Sequence, residues 1–110
     1  MRSILFDELL PDDGKKIRLY LSQNLVQSTF DNLFWLDLPE SLFSEMQKVH
    51  TDCRPFSFAI ELTETALTAE LLVRSRNQLH CKCMAYATVA QRNFLLEFLD
   101  TLSRTCSLSS

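Results

Sequence analysis

The sequence predicts an α+β fold, with a small antiparallel, barrel-like sheet of five to six strands, a C-terminal helix and a short middle helix. Apolar and polar residues alternate in several short runs, and this period of two indicates strands with one buried face. Near the end of the chain, a capping signal precedes an apolar stripe at helical spacing. The 110 residues suit one domain, 1–110, with an N-terminal arm at 1–14 and a frayed tail at 105–110.

A hairpin in the second half of the chain is the centre of this prediction. Its first strand, Ala66–Arg74, places four apolar side chains on one face: Leu67, Ala69, Leu71 and Val73. The polar segment Ser75–Gln78 forms the turn, and Leu79–Tyr86 forms the second strand.

A capping box made by Thr88 and Gln91 begins the C-terminal helix, predicted at Gln91–Ser103. The helix carries a broad apolar stripe, made of Phe94, Leu95, Phe98, Leu99 and Leu102. We expect this stripe to pack on the hairpin or to close one end of a small barrel.

The first half of the chain supplies the remaining elements. Three strands are predicted by alternation, at Lys15–Gln23, Leu33–Leu38 and Phe56–Leu62. Asn24–Asn32 fits either a strand or a loop, and Pro39 begins the middle helix, which runs to about His50. Before these lies the apolar arm, closed by a predicted turn at Pro11-Asp12-Asp13-Gly14. The arm fits helical turns packed on the body, or a segment held by a partner or by a second copy.

Composition excludes several classes of function. The net charge is −3 and there is no basic run, so nucleic-acid binding is not expected. No apolar run approaches the ~20 residues of a membrane-spanning helix, and the first residues do not resemble a signal peptide. We therefore expect a cytoplasmic protein without membrane insertion. Gly14 is the one glycine, which excludes phosphate-binding loops that need several.

No catalytic motif is present, so no enzymatic activity and no cofactor are predicted. The two histidines, His50 and His80, lie outside any recognisable acid–base or triad pattern. Cys81 and Cys83 lie two apart on one strand face and are compatible with a shared metal ion. The preferred interpretation is that both are small buried apolar side chains. A disulfide is not expected, because cytoplasmic thiols stay reduced.

The final third of the chain resembles the end of the PilZ domain family. Residues 69–83, Ala-Glu-Leu-Leu-Val-Arg-Ser-Arg-Asn-Gln-Leu-His-Cys-Lys-Cys, are similar to the last hairpin of that family. Residues 90–99, Ala-Gln-Arg-Asn-Phe-Leu-Leu-Glu-Phe-Leu, are similar to its closing helix. The resemblance implies a six-stranded antiparallel barrel with a helix at one end.

The motifs with which PilZ domains bind cyclic di-GMP are not matched here. The family uses an R-x-x-x-R arm and a D/N-x-S-x-x-G strand. The arm is absent here, and the segment nearest to the strand motif, Tyr20–Leu25, matches it only at Ser22. The resemblance therefore implies a degenerate member that does not bind the nucleotide and acts through protein partners.

The leading hypothesis is a non-catalytic adaptor domain in bacterial signalling or motility, which binds a protein partner and forms a homodimer or a higher oligomer. Its candidate interface residues are large apolar side chains, namely Phe6, Phe30, Trp35 and Leu72. One rival hypothesis is a divergent cyclic-dinucleotide sensor that uses Arg74, Arg76, His80 and Arg92, although the preferred interpretation of this cluster is a solvated hairpin tip. A second rival is a domain stabilised by zinc, and a third is a small acidic secretion-type chaperone.

Overall fold

Seven short antiparallel strands form one sheet, and the two long helices pack on one face of it. The computed structural model describes residues 3–77 and 84–106. The strands are β1 (Ser3–Phe6), β2 (Val26–Gln27), β3 (Leu33–Asp37), β4 (Phe56–Leu62), β5 (Leu67–Glu70), β6 (Leu72–Ser75) and β7 (Ala85–Tyr86). The helices are α1 (Pro11–Asn24), α2 (Glu45–Val49) and α3 (Val89–Cys106), with 3₁₀ turns at Glu40–Leu42 and Thr51–Cys53.

The strand order is β1-β5-β4-β3-β2, and β6 pairs with both β4 and β7. β5 and β6 behave as one strand that is bent at Leu71. Ser57 pairs with Arg74 and Ile60 with Ala69, so three steps along β4 match five steps along β5 and β6. This bulge contains two extra residues. Because the shift is even, side chains keep the same faces on both sides of the bend.

The core lies between one face of the sheet and the two long helices. Phe34, Phe58 and Ile60 point from the central strands into the core and are fully buried. Ile17 and Leu21 of α1 meet them, and α3 contributes a buried stripe consisting of Leu95, Leu99, Leu102 and Cys106. The stripe predicted for the C-terminal helix is thus confirmed at its central positions.

The strand predicted at Lys15–Gln23 is wrong, because this segment belongs to helix α1. Ile17 and Leu21 are buried, whereas Leu19 is 60% exposed, which is the helical spacing and not the alternation of a strand. The predicted turn at residues 11–14 is also wrong. Pro11 begins α1, and the carboxylate of Asp13 accepts a hydrogen bond from the Leu10 amide at 3.2 Å.

The N-terminal arm of the prediction is divided between two elements. Ser3–Phe6 form strand β1, which pairs with β5 at the end of the sheet. At the other end of the chain, α3 continues through Cys106, so the first two residues of the predicted tail are helical. Residues 107–110, and Gln78–Cys83 of the predicted turn and second hairpin strand, lie outside the described residues.

The predicted middle helix is broken into a 3₁₀ turn and the short helix α2. Ser44 separates them, and its hydroxyl caps α2 by accepting from the Gln47 amide at 3.3 Å. The α+β class and the antiparallel sheet are confirmed. The sheet is not closed, so barrel-like describes it only loosely. No helix in the described part of the chain is long and apolar enough to cross a membrane.

Candidate interaction surface

The face of the sheet opposite the two long helices is the candidate functional site, and we call it the open face. Residues directly opposite each other in antiparallel strands share a face, so the strand pairings define it. Its members are Ser3, Leu5, Val26, Leu33, Trp35, Asp37, Ser57, Ala59, Glu61, Thr68, Glu70, Leu72, Arg74 and Tyr86. Of these side chains only Ser57 is buried, and the others are half-buried or exposed.

Two shallow grooves meet at the centre of the open face. One, of about 390 Å³, lies over β3, β4 and β5 and is lined by Ala59 and Glu61, among others. The other, of about 380 Å³, lies toward the β2–β3 turn and includes Phe30. Leu33, Trp35 and Arg74 line both grooves. The two grooves therefore adjoin at these three residues, and Trp35 lies at their junction.

An ion pair between Glu70 and Arg74 borders the apolar centre. The guanidinium donates from Nε to Glu70 Oε1 at 2.5 Å and from Nη2 to Oε2 at 3.1 Å. This two-point contact fixes the planar group on the sheet surface. The hydrogen bond from Arg74 to Glu70 is the main cause that raises the pKa of Arg74 above its ordinary value. Arg74 therefore stays charged and neutralised by its neighbour.

A second ion pair, between Asp37 and Arg76, lies beside the first. Nη2 of Arg76 is 2.8 Å from each carboxylate oxygen of Asp37, and its Nε donates to Ser57 Oγ at 3.1 Å. Ser57 in turn donates to Asp37 Oδ1 at 2.6 Å. Arg76 therefore covers the Ser57 hydroxyl, which explains why this residue is buried on an otherwise accessible face.

The arginines of the sensor hypothesis are divided between two sides of the molecule. Arg74 and Arg76 lie together at one groove, but each is already paired with a carboxylate. Arg92 is exposed near the start of α3, within the helical layer. His80, like Cys81 and Cys83 of the metal hypothesis, lies outside the described residues. The two arginines that do meet would have to exchange a carboxylate for any incoming anion.

Three of the four predicted interface residues lie at the open face or its margin. Trp35 is central, Leu72 is half-buried opposite Tyr86, and Phe30 is 69% exposed at the end of the second groove. Phe6 is different, because it points to the core face and packs against the core cluster.

One cysteine differs from the prediction. Cys53 is disulfide-bonded. The expectation of reduced thiols is therefore wrong for Cys53, and it rested on the assumption of a reducing compartment. A disulfide is typical of oxidising compartments, so it weighs against the cytoplasmic prediction. Cys106 is free and buried. Within residues 3–77 and 84–106, no three potential ligands gather as a metal site requires.

Another groove, of about 690 Å³, lies between α1 and the turn that joins β4 to β5. Lys15, Arg18 and Glu64 are among its lining residues. The guanidinium of Arg18 donates to the Asp31 carbonyl at 3.1 Å and to Asn32 Oδ1 at 2.9 Å. This arrangement anchors the β2–β3 turn on α1, and none of the predicted site residues that the structure describes lines this groove.

Sequence reasoning missed the side chains that complete the open face, above all Leu33, Ala59 and the Glu70–Arg74 pair. Alternation predicted a strand at Leu33–Leu38, which contains Leu33 and Trp35, but it did not show which strand lies beside it. Comparisons with protein-family models, with curated proteins and with solved structures gave no match.

Proposed function

We propose that this protein is a non-catalytic interaction domain that binds a folded protein partner through the open face. The observation that carries the proposal is the junction of two grooves at Leu33, Trp35 and Arg74. An apolar centre with a polar rim is the usual composition of a protein interface. Tryptophan and arginine are also the residue types that contribute most to binding when they are central.

The rim favours a protein surface over a small anion. Arg74 of the open face and Arg76 beside it are already neutralised by Glu70 and Asp37, respectively. A free anion would therefore meet no uncompensated charge from this pair, whereas a protein rim can exchange hydrogen bonds with ion pairs of both signs. The PilZ resemblance fits this proposal as a member that acts through protein partners, in bacterial signalling or motility.

The test is site-specific photo-cross-linking in the native host. A photoreactive residue replaces Ala59 at the centre of the open face, and the matched control position is Leu96, an exposed residue of α3. We expect a discrete adduct from position 59 only. Excess wild-type protein without the photoreactive residue should reduce the yield of this adduct, whereas excess Trp35→Lys protein should not. Equal adducts from both positions, or equal competition by the two proteins, would contradict the proposal.

The cyclic-dinucleotide sensor remains a second candidate, because Arg74 and Arg76 share one groove with the aromatic rings of Phe30 and Trp35. Guanidinium groups and aromatic rings stack on purines, and arginine binds phosphate. Calorimetric titration with cyclic di-GMP tests this candidate. Micromolar binding that Arg76→Ala abolishes would support it, and no heat from folded protein would reject it.

A secretion-type chaperone would differ from an adaptor in the state of its partner. A chaperone holds an extended, unfolded segment, whereas the proposed adaptor binds a folded surface. The cross-linked partner distinguishes them. If the adduct persists when that partner is added as a purified folded protein, the adaptor is supported. If only the denatured partner is captured, the chaperone hypothesis replaces it.

A further inference from the structure

Strand β1 forms one end of the sheet and pairs only with β5 among the described residues. A terminal strand uses half of its backbone N–H and C=O groups for its neighbour and presents the other half outward. β1 is therefore able to accept one more extended chain. The order of strands places this edge on the opposite side of the sheet from β2.

Natural proteins usually protect such an edge with lysine, proline or a bulge. β1 consists of Ser-Ile-Leu-Phe and has none of these devices. Leu5 is 55% exposed on the open face. Ile4 and Phe6 point to the core face, where they are half-buried against the core cluster. The edge thus offers apolar side chains on both faces together with backbone groups to which no other described strand is paired.

We propose that β1 pairs with β1 of a second copy of this chain, antiparallel about a two-fold axis at Leu5. In this register Leu5 lies opposite Leu5 of the second copy, Ile4 lies opposite Phe6, and Ser3 lies opposite Asp7. Apolar side chains therefore oppose apolar side chains on both faces, and a hydroxyl faces a carboxylate at each end.

Neighbouring registers that keep the same faces together are less complementary. An axis at Ile4 would place Ser3 opposite Leu5. An axis at Phe6 would place Leu5 opposite Asp7 and Ile4 opposite Glu8. A shift of the pairing by one residue would join the core face of one sheet to the open face of the other. The self-complementary pattern of the strand is what favours a second copy over an unrelated segment.

This dimer would join two sheets into one and bring their open faces side by side. It does not depend on the function proposed above, because β1 and Trp35 lie at different places on the sheet. Trp35→Lys should therefore leave self-association unchanged even where it prevents partner binding.

Sedimentation equilibrium of the full chain over a range of concentrations tests the proposal. We expect a reversible monomer–dimer equilibrium for the wild type. Leu5→Lys removes two leucines from the two-fold axis and places two ammonium groups opposite each other. The dissociation constant of the dimer should therefore rise by more than about tenfold. The matched control is Leu19→Lys, at a similarly exposed leucine of α1, which should dimerise like the wild type.

Cross-linking tests the register without relying on Leu5→Lys. Cα atoms of directly opposite residues in antiparallel strands are about 4.5–5.5 Å apart, which suits a disulfide. Leu5→Cys should form a covalent dimer under mild oxidation, and Leu19→Cys should not. A wild type that is monomeric at every concentration, a dimer that Leu5→Lys leaves unchanged, or equal cross-linking of the two cysteine variants would overturn the proposal.

Discussion

Nε2 of Gln91 donates a hydrogen bond to Oε1 of Gln47 at 3.0 Å, and both side chains are buried. Each glutamine also closes a capping box. Gln91 Oε1 accepts from the Thr88 amide at 3.0 Å, and Gln47 Oε1 accepts from the Ser44 amide at 2.9 Å. One amide–amide contact therefore ties the start of α2 to the start of α3.

Gln91→Ala tests this link. The variant loses the capping box of α3. It also removes two hydrogen bonds that Gln91 Nε2 donates, one to the Leu42 carbonyl at 2.8 Å and one to Gln47 Oε1. We expect the free energy of unfolding in urea to fall by about 2–4 kcal/mol. Arg92→Ala, at the exposed neighbouring position, should change it by less than about 0.5 kcal/mol. Equal effects of the two variants would show that the buried link contributes nothing.

A leucine pair distinguishes helix α1 from the strand that alternation predicts. In a strand, Leu19 and Leu21 would share a face. In α1, Leu21 is buried and Leu19 is exposed. Leu21→Ala should therefore lower the free energy of unfolding by about 2–5 kcal/mol and Leu19→Ala by about 0.5 kcal/mol or less. Similar losses of unfolding free energy for the two variants, measured by urea denaturation, would support the strand assignment and contradict the helix.

A phenylalanine pair separates the core from the margin of the open face. Phe34 is fully buried on the core face, whereas Phe30 is 69% exposed. Phe34→Ala should cost about 3–5 kcal/mol, because it leaves a cavity, and Phe30→Ala should cost about 0.5 kcal/mol or less. Thermal unfolding followed by circular dichroism measures both. A large loss with Phe30→Ala would place that ring in the core and remove it from the interface.

The Glu70–Arg74 ion pair should stabilise the fold by an amount that does not change near neutral pH, because Arg74 stays protonated there. The folded state raises the pKa of Arg74, so this contribution is fully present below the ordinary pKa and is lost only above it. Arg74→Met should lower the free energy of unfolding by about 0.5–1 kcal/mol. The difference from wild type should be constant from about pH 6 to 9 and smaller in high salt. A loss that disappears by pH 9 would contradict the assignment.

Burial raises the pKa of the Cys106 thiol. The folded state therefore favours the neutral thiol. The contribution of this thiol to the free energy of unfolding falls as the pH rises from its ordinary pKa of 9.0 through the raised pKa. Cys106→Ala should remove part of the alkaline loss of stability. A thiol reagent at pH 8 should label wild type and Cys106→Ala equally when folded, and wild type more after unfolding in urea. Greater labelling of folded wild type would mean that the thiol is accessible.

The elements that sequence reasoning found are those in which a local pattern and its tertiary role coincide. Alternation at Phe56–Leu62 predicts β4, and the Thr88–Gln91 capping box begins α3 as expected. Alternation misled at α1, because Ile17, Leu19 and Leu21 suit a strand when they are considered alone. The proline at the first position, the two acidic residues after it and the four-residue spacing of the buried positions were the signals for a helix.

The open face was predictable only in part, because it depends on pairings between distant segments. The sequence identified Trp35, Phe30 and Leu72 as surplus apolar side chains. It did not show that Trp35 lies opposite Ala59, or that the bulge at Leu71 keeps Arg74 on the same face. The carboxylates that neutralise the two arginines come from other strands or from across the bulge, so a local pattern shows none of these contacts.

The most direct test of the interaction proposal uses Trp35, the sole tryptophan of the chain. Its fluorescence can be quenched with acrylamide in the free protein and in the complex with a tryptophan-free version of the partner captured from position 59. We predict that Trp35 is readily quenched when free and that the quenching constant falls several-fold in the complex. An unchanged quenching constant in a fully formed complex would show that the partner binds elsewhere and would contradict the account.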